Sequence, residues 1–263
     1  MQIRTRNLYL IPYLTWILLF VVAPILLIVY YSFFNVDGQF TLGNYQKFFT
    51  PVYLKMTLSS FWYALLITVI SLLIAYPTAY WLTKTKHKQL WLLLIILPSW
   101  INLLLKAYAF LGIFGTYGPT NKLLESIGIG TQQILFTDFS FLFVSVYIFI
   151  PFMILPIYNA LEEMNHSLLD AANDLGASQW TTFRRVIFPL TLDGVKSGCQ
   201  AVFIPALSLF MITRLVAGNR VITLGTAIEQ HFLVTQDWGM GATIAVFLIM
   251  AMAFIMMLTR KRK

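Results

Sequence analysis

The stretch FSFLFVSVYIFIPFMILPIYNAL, residues 139–161, contains no Asp, Glu, Lys or Arg. A helix needs about 20 mostly apolar residues to cross the hydrocarbon core of a bilayer, so this run predicts a membrane-spanning helix. Three more uncharged runs of comparable length occupy residues 8–34, 56–83 and 238–259. A soluble domain is also excluded by composition, because only 11% of the residues are charged, against about a quarter in soluble domains.

Two less uniform runs, 90–112 and 194–214, complete a predicted set of six spans. The first carries Lys106 near one end, and the second carries Lys196 near one end and Arg214 as its last residue. A long basic side chain near a helix end reaches the membrane interface, so neither lysine forbids a span. No linker divides the chain. The predicted fold is therefore an all-α polytopic membrane protein with one transmembrane domain over residues 1–263.

Six spans place both termini on the same side of the membrane, and the Lys and Arg distribution predicts that this side is cytoplasmic. Twelve basic residues lie on the face of the termini and six on the other face. The twelve are Arg4, Arg6, Lys84, Lys86, Lys88, Arg184, Arg185, Lys196, Arg260, Lys261, Arg262 and Lys263. The loop 162–189 is then cytoplasmic. The net charge of +8 suits anionic lipid, and its scatter over several loops argues against nucleic-acid binding.

Nothing in the chain indicates catalysis. The three histidines lie far apart without metal-ligand spacing, and no nucleophile constellation or Gly-rich phosphate loop is present. We therefore expect no catalytic residue, no metal site and no cofactor bound by this chain. If the protein uses ATP, another chain must hydrolyse it.

The loop 162–189 is predicted to hold two short helices. Ser167 suits a helix N-terminus, with Asp170 positioned three residues later to reach back to it. Gly176 suits a helix stop, since glycine adopts the left-handed conformation that ends helices. Ser178 suits a second cap, and Pro189 suits the first turn of the fifth span.

A helix of two turns is marginal alone, so the first helix needs a surface to pack against. Met164, Leu168, Ala171 and Leu175 follow a helical spacing and form an apolar stripe. The small Ala171 and Ala172 let another surface approach closely. From the residues alone, a helix that rests on lipid or on its own bundle and a helix that docks on a partner both remain open.

The spacing of this loop resembles the EAA loop of ABC importer permeases, E-A-A-x3-G-x9-I-x-L-P. The matching residues are Asp170, Ala171, Ala172, Gly176, Val186, Phe188 and Pro189, with Asp, Val and Phe in place of Glu, Ile and Leu. The resemblance implies a coupling helix that sits in a groove of an ATPase subunit. The residues it implies for that coupling are Leu168, Asp170, Ala171, Ala172, Leu175, Gly176 and Pro189.

Longer segments are similar to the first permease subunit of spermidine/putrescine importers. They are LPSWINLLLKAYAF (97–110), PFMILPIYNALEEMNHSLLDAANDLGAS (151–178), VIFPLTLDGVKSG (186–198) and QDWGMGATI (236–244). The resemblance implies the type I importer permease fold, also called MetI-like, in a bacterial inner or plasma membrane. It also implies a second permease, two ATPase copies that hold ATP and Mg, and an external polyamine-binding protein.

Carboxylates and aromatic faces attract protonated amines, so such residues on the outer side are candidates for the substrate path. They are Glu229, Asp237, Trp238, Tyr108 and Trp100. Loop acids are often simply hydrated, and interfacial Trp and Tyr are often membrane anchors. Lys106 and Arg214 argue against a simple cation funnel. A different solute, an ATPase-independent carrier or channel, and a scaffold remain alternatives.

Overall fold

The computed structural model describes residues 2–165, 167–218 and 220–259, and for residues 2–9 and 258 it describes the backbone alone. Residue 166 of the loop 162–189 and the basic residues Arg260, Lys261, Arg262 and Lys263, which entered the orientation count, lie outside the described residues. The side chains of Arg4 and Arg6 do so too.

The described chain is built from helices. In order they are α1 (Gln2–Ile17), α2 (Ala23–Tyr31), α3 (Gly43–Phe48), α4 (Pro51–Thr83), α5 (Lys88–Ile96), α6 (Leu103–Phe114), α7 (Pro119–Ser126), α8 (Asp138–Glu162), α9 (Ser167–Asp174), α10 (Gln179–Thr182), α11 (Phe188–Leu207), α12 (Met211–Leu215), α13 (Leu224–Glu229) and α14 (Trp238–Thr259). π-helical turns connect α1 to α2, α10 to α11, and continue α13.

Four helices in the described residues are long and apolar enough to cross a membrane: Leu10–Tyr31, Pro51–Thr83, Asp138–Glu162 and Trp238–Met257. They coincide with the four uncharged runs of the sequence. A fifth candidate is a bent pair, Lys88–Trp100 and Leu103–Ser126, with an angle of 94°. The predicted span 194–214 is not one helix, because α11 ends at Leu207 and the last residues of the run lie in the separate helix α12. α11 also carries Asp193 and Lys196 and is less apolar than α4, α8 and α14. The count of six is compatible with this fold and stays a prediction.

The bend divides the run 90–112, which the sequence suggested as one span. Pro98 lies in a 3-10 turn, Leu97–Trp100, that ends α5. Asn102 then caps α6, because its Oδ1 accepts a hydrogen bond of 2.8 Å from the Leu104 N–H. A proline without an N–H followed by a capping side chain ends one helix and starts another.

α8 lies at the centre of the bundle, between α4 and α11. Its contact with α11 is close because two glycines face it. A Cβ on Gly194 would lie 2.6 Å from Pro156 O, and a Cβ on Gly198 would lie 2.8 Å from Met153 Sδ. Gly194 and Gly198 form a G-x-x-x-G motif, which lets membrane helices approach at backbone distance. The sequence analysis did not identify this motif.

Candidate functional site

The loop after α8 contains the first predicted short helix, α9, and its cap differs from the prediction. Asn165 Oδ1 accepts hydrogen bonds from the Ser167 N–H at 3.0 Å and the Ser167 hydroxyl at 2.9 Å. The capping side chain is therefore Asn165, and the assignment to Ser167 was wrong. Asn and Ser are equally good caps, so the sequence pattern alone did not separate them.

α9 ends where the sequence predicted. Gly176 has φ +73°, in the left-handed region. The Gly176 N–H bonds Asn173 O at 2.9 Å, and the Ala177 N–H bonds Ala172 O at 3.0 Å. These two bonds form a Schellman motif, which satisfies the last carbonyls of the helix. The prediction of a stop at Gly176 is confirmed.

α9 has one face on its own bundle and one face outward. Leu169 packs against the hydrophobic core, and Ala172 is buried. Leu168 is 44% exposed and Leu175 is 87% exposed, and Ala171 between them is exposed as well. The predicted apolar stripe is thus real from Leu168 to Leu175, and it faces away from the chain. Its first predicted member, Met164, instead packs against the core.

The second short helix, α10, is capped as predicted. Ser178 Oγ accepts from the Thr181 N–H at 3.2 Å. α10 runs without interruption through a π-helical turn, Phe183–Ile187, into α11. In that turn the Phe188 N–H bonds Phe183 O. Pro189 follows in the first turn of α11, where its missing N–H is tolerated because the helix has already widened.

An aromatic cluster fixes this turn to α4. The Phe183 ring lies edge-on to Tyr76, with 5.6 Å between ring centroids, and Phe188 lies 5.9 Å from Tyr76. The Tyr76 hydroxyl and Thr191 Oγ1 are 2.8 Å apart. At the exposed edge of the cluster, Trp180 stacks on Phe183, with 5.7 Å between ring centroids. The sequence analysis missed Tyr76 and Thr191. Both lie in predicted spans, and nothing local marks a contact 115 residues apart.

An ion pair holds the start of α5 to the end of α8 beside this loop. Lys88 Nζ lies 2.5 Å from Glu162 Oε2. The hydrogen bond to Glu162 raises the pKa of Lys88 above its ordinary value. The pair is exposed, so its contribution to stability is small.

A groove of about 830 Å³, with a lining that is more apolar than polar, opens between α8, α11 and α14 on the side of the loop 162–189. α8 and α11 contribute most of its polar side chains, which are Asn159, Glu163, Asp193, Lys196, Ser197 and Gln200. Polar and ionisable side chains on membrane helices are costly unless they face water, a partner or a solute. This groove explains why α11 is the least apolar of the long helices.

Two of the predicted substrate-path residues are acids that have partners within the chain. Glu229 Oε1 lies 2.6 Å from Arg214 Nη1, and both residues line a cavity of about 280 Å³. Asp237 Oδ1 accepts from the Met240 N–H at 3.0 Å, which makes Asp237 the cap of α14. Arg214, which argued against a simple cation funnel on the sequence alone, is therefore paired with an acid of its own chain.

His231 connects Asp237 to α4. Its Nε2 lies 2.9 Å from the Tyr53 hydroxyl, and its Nδ1 lies 4.0 Å from Asp237 Oδ2. Burial lowers the pKa of His231 from its ordinary 6.5, and Lys47 lowers it further, while Asp237 acts in the opposite direction. His231 is therefore favoured in its neutral form.

The three predicted aromatic residues are dispersed. Trp238 packs against Tyr31 at 5.9 Å and lines a cavity of about 410 Å³ at the C-terminal end of α2. Tyr108 lies on α6 and Trp100 at the end of the 3-10 turn before it, and both are exposed, Trp100 by 79%. Glu229 and Trp238 line different cavities. This single chain does not gather the five residues into one site.

No family model matches the chain. The chain is 36% identical over 251 residues to the spermidine/putrescine transport system permease protein PotB of Haemophilus influenzae, covering 92% of this chain and 88% of that protein. It is 36% identical over 252 residues to the PotB protein of Escherichia coli, covering 92% of each. It is also 30% identical over 198 residues to the inner membrane ABC transporter permease protein YdcU of Escherichia coli, covering 69% of this chain and 63% of that protein.

Solved structures with the same fold come from a bacterial ABC transporter involved in the import of the acidic polysaccharide alginate. One chain matches with a TM-score of 0.75 and 16% identity, covering 99% of this chain and 97% of that chain. A chain of the same transporter in complex with an alginate pentasaccharide-bound periplasmic protein matches with a TM-score of 0.80, covering 97% and 93%. At this identity the likeness concerns the fold, which is that of an ABC importer permease.

Proposed function

The chain belongs to the permease family of the spermidine/putrescine transport systems, and we propose on that premise that it forms half of a polyamine path across the membrane. It is a multi-pass permease subunit of an ABC importer, a transporter rather than an enzyme. We propose a single transmembrane domain of six spans over residues 1–263, without a catalytic site of its own.

The outward face of α9 is the observation that carries the coupling role. Leu168, Ala171 and Leu175 are exposed in a polar loop, while the same helix is anchored by Leu169 and Ala172 on the other side. A partly exposed leucine at each end of a two-turn helix is costly in water and is stabilised by a partner groove. We assign that groove to the ATPase subunit. The coupling residues are Leu168, Asp170, Ala171, Ala172, Leu175, Gly176 and Pro189.

Polyamines are the proposed substrates because relatives that match more than nine-tenths of the chain are named for spermidine and putrescine. Carboxylates and aromatic rings on the proposed outer side would attract linear protonated amines. Asp237, Trp238, Tyr108, Trp100 and Glu229 stay a prediction for the outer path. A different small solute is the alternative, since an external binding protein contributes much of the selectivity.

The assembly we propose contains a second permease, two ATPase copies and an extracytoplasmic polyamine-binding protein. ATP and Mg belong to the ATPase subunits. Both termini of this chain and the loop 162–189 face the cytoplasm, and the location is a bacterial inner or plasma membrane. The basic residues of Lys84, Lys88, Arg184 and Arg185 support this orientation.

The proposed transport cycle is a shift between two arrangements of the permease pair. ATP binding closes the ATPases, α9 moves with its groove, and the spans tilt so that the path opens outward. Hydrolysis restores the other arrangement. ATP shifts the populations because it binds one arrangement more tightly than the other.

A tagged purification from native membranes in mild detergent tests this function. We expect an ATPase and a second permease to copurify, and we expect the loaded polyamine-binding protein to stimulate ATP hydrolysis. As a control, the same purification is run with Gly176→Arg, which places a large cation beside the docking face. A wild-type chain that purifies alone would contradict the proposal and favour an ATPase-independent carrier or channel.

A further inference from the structure

A continuous row of aromatic side chains connects the exposed surface of the coupling loop, residues 162–189, to Tyr76, a buried residue of α4. Trp180 is exposed and stacks on Phe183, with 5.7 Å between centroids. Phe183 contacts the buried Tyr76 edge-on at 5.6 Å. The row therefore begins on α10, in the same loop as α9, and ends seven residues before the end of α4 at Thr83.

The last contact of this row is a hydrogen bond between two long helices. Thr191 Oγ1 lies 3.0 Å from Ile187 O and 3.2 Å from Phe188 O, so its single proton is used within α11. The Tyr76 hydroxyl therefore donates to Thr191 Oγ1, at 2.8 Å. Both side chains are buried, and a buried hydrogen bond has one preferred geometry.

The hydrogen bond between Tyr76 and Thr191 lies beside the π-helical turn, where α10 could move relative to α11. Phe183–Ile187 is the only backbone connection from α10 to α11, and a π turn is a point at which a helix bends. If the turn bent freely, displacement of α9 and α10 would be absorbed there. Tyr76 contacts the turn at Phe183 and the first turns of α11 at Phe188 and Thr191. It bridges the bend and joins both sides of it to α4.

We propose that Tyr76, through Phe183 and Thr191, is the positioning residue that transmits movement of the coupling loop to α4 and α11 as one unit. This inference rests on the proposed coupling function and names the residues within the chain that carry it. Tyr76 touches neither ATP nor solute. It acts by making the wide turn rigid.

Tyr76→Phe tests the link because it removes one hydroxyl and keeps the ring. We expect the assembled transporter in proteoliposomes to keep its basal ATP hydrolysis and its subunit composition, with a thermal midpoint lowered by a few degrees at most, the usual cost of one buried hydrogen bond. The amount of spermidine transported per ATP should fall about fivefold, the size expected for one buried hydrogen bond. Tyr80→Phe is the matched control. Tyr80 lies one turn later on α4 near Phe183, at 6.3 Å, and in the described residues its hydroxyl has no hydrogen-bond partner.

A second variant, Thr191→Val, tests whether Tyr76 and Thr191 act through their shared hydrogen bond or each act separately. If the bond transmits movement, the double variant Tyr76→Phe/Thr191→Val should be no more uncoupled than Tyr76→Phe alone. Normal coupling in Tyr76→Phe would overturn the proposal, and so would additive losses in the double variant. A loss accompanied by lower basal hydrolysis and by missing subunits would also overturn it, because that would show a structural role.

Gly176→Arg distinguishes failure of this link from failure of the coupling function itself. If Gly176→Arg abolishes uptake while Tyr76→Phe is fully coupled, the loop docks on the ATPase but this row does not transmit. If Gly176→Arg also leaves uptake intact, the coupling assignment is wrong, and the link is overturned with it.

Discussion

Arg214 on α12 and Glu229 on α13 form an ion pair, with 2.6 Å between Nη1 and Oε1. Only 14% of the Glu229 side chain is exposed, so the carboxylate is largely withdrawn from water. An arginine in the same chain offsets the charge of this carboxylate, so the predicted role of Glu229 on the outer path and a purely structural role must be separated by experiment. The pair joins the two short helices between α11 and α14.

Exchanging the two charges tests which role Glu229 has. We expect Arg214→Glu and Glu229→Arg each to lower uptake, because each leaves two like charges in contact. The double exchange should restore uptake to within about twofold of wild type, because the attraction returns. Uptake is measured with radiolabelled spermidine at matched membrane abundance. If the double exchange stays inactive while its thermal midpoint recovers, Glu229 acts on the solute.

Asp237 caps α14 by accepting a hydrogen bond from the Met240 N–H. Its capping role can therefore be tested separately from the role of its negative charge. Asn is as good a cap as Asp, so Asp237→Asn should leave the thermal midpoint unchanged. If Asp237 lies on the outer path, loss of its charge should raise the KM for spermidine uptake by roughly tenfold. Asp237→Ala is the control that also removes the cap. An unchanged KM in Asp237→Asn would remove Asp237 from the path.

Local rules predicted the parts of this molecule that depend on neighbouring residues. The four uncharged runs became four long helices, and Gly176 and Ser178 end and start helices as expected, because each needs only its own backbone and the next few residues. The cap by Asn165 was missed because Asn and Ser compete for the same role two residues apart.

Contacts between distant segments were beyond the sequence. The bond between Tyr76 and Thr191 and the pair of Arg214 and Glu229 depend on which helix faces join, and nothing in local spacing encodes that choice. The proposed coupling role of the loop around Asp170 comes from its resemblance and stays a prediction. The structure added which of its side chains face outward, since periodicity does not distinguish an inner from an outer stripe.

At Gly176, the left-handed backbone conformation restricts which residues are tolerated, and the space available to a side chain does not. Its φ is +73°, and a Cβ there would meet nothing within 4 Å. We expect Gly176→Asn to retain most uptake, because Asn tolerates this conformation, whereas Gly176→Val should lose it. Gly176→Arg should abolish uptake while membrane abundance stays normal. Uptake and abundance are measured together, and full uptake in Gly176→Arg would contradict docking at this helix end.

The contact between α8 and α11 should be intolerant of a single methyl group. A Cβ on Gly194 would lie 2.6 Å from both Pro156 O and Ala160 Cβ, and neither atom belongs to a flexible side chain. We expect Gly194→Ala to destabilise the protein by about 1–3 kcal/mol, the usual cost of overpacking. The measurement is the thermal midpoint in detergent. Ser197→Ala, on the exposed face of the same helix, is the control and should change little.

The fold should lose stability in acid because His231 becomes protonated. Burial lowers its pKa from the ordinary 6.5, with a further lowering by Lys47 and an opposing effect of Asp237. The folded chain therefore binds this proton less readily than the unfolded chain does. The resulting stabilisation is fully present above pH 6.5 and is lost as the pH falls through the lower folded pKa. The titratable groups that act on the ring are Tyr53, Asp237 and Lys47, and the Thr235 hydroxyl lies 3.4 Å from Nδ1.

Removal of the titrating ring tests this dependence. Between pH 7.5 and pH 5.5, we expect the thermal midpoint of the wild type to fall by a few degrees more than that of His231→Gln. Gln keeps a polar partner for Tyr53 and does not titrate. Other groups titrate in both proteins, so the difference between the two shifts is the quantity to compare. Equal shifts in the two proteins would mean that the contact of His231 with Tyr53 and Asp237 contributes nothing to the acid sensitivity of the outer end.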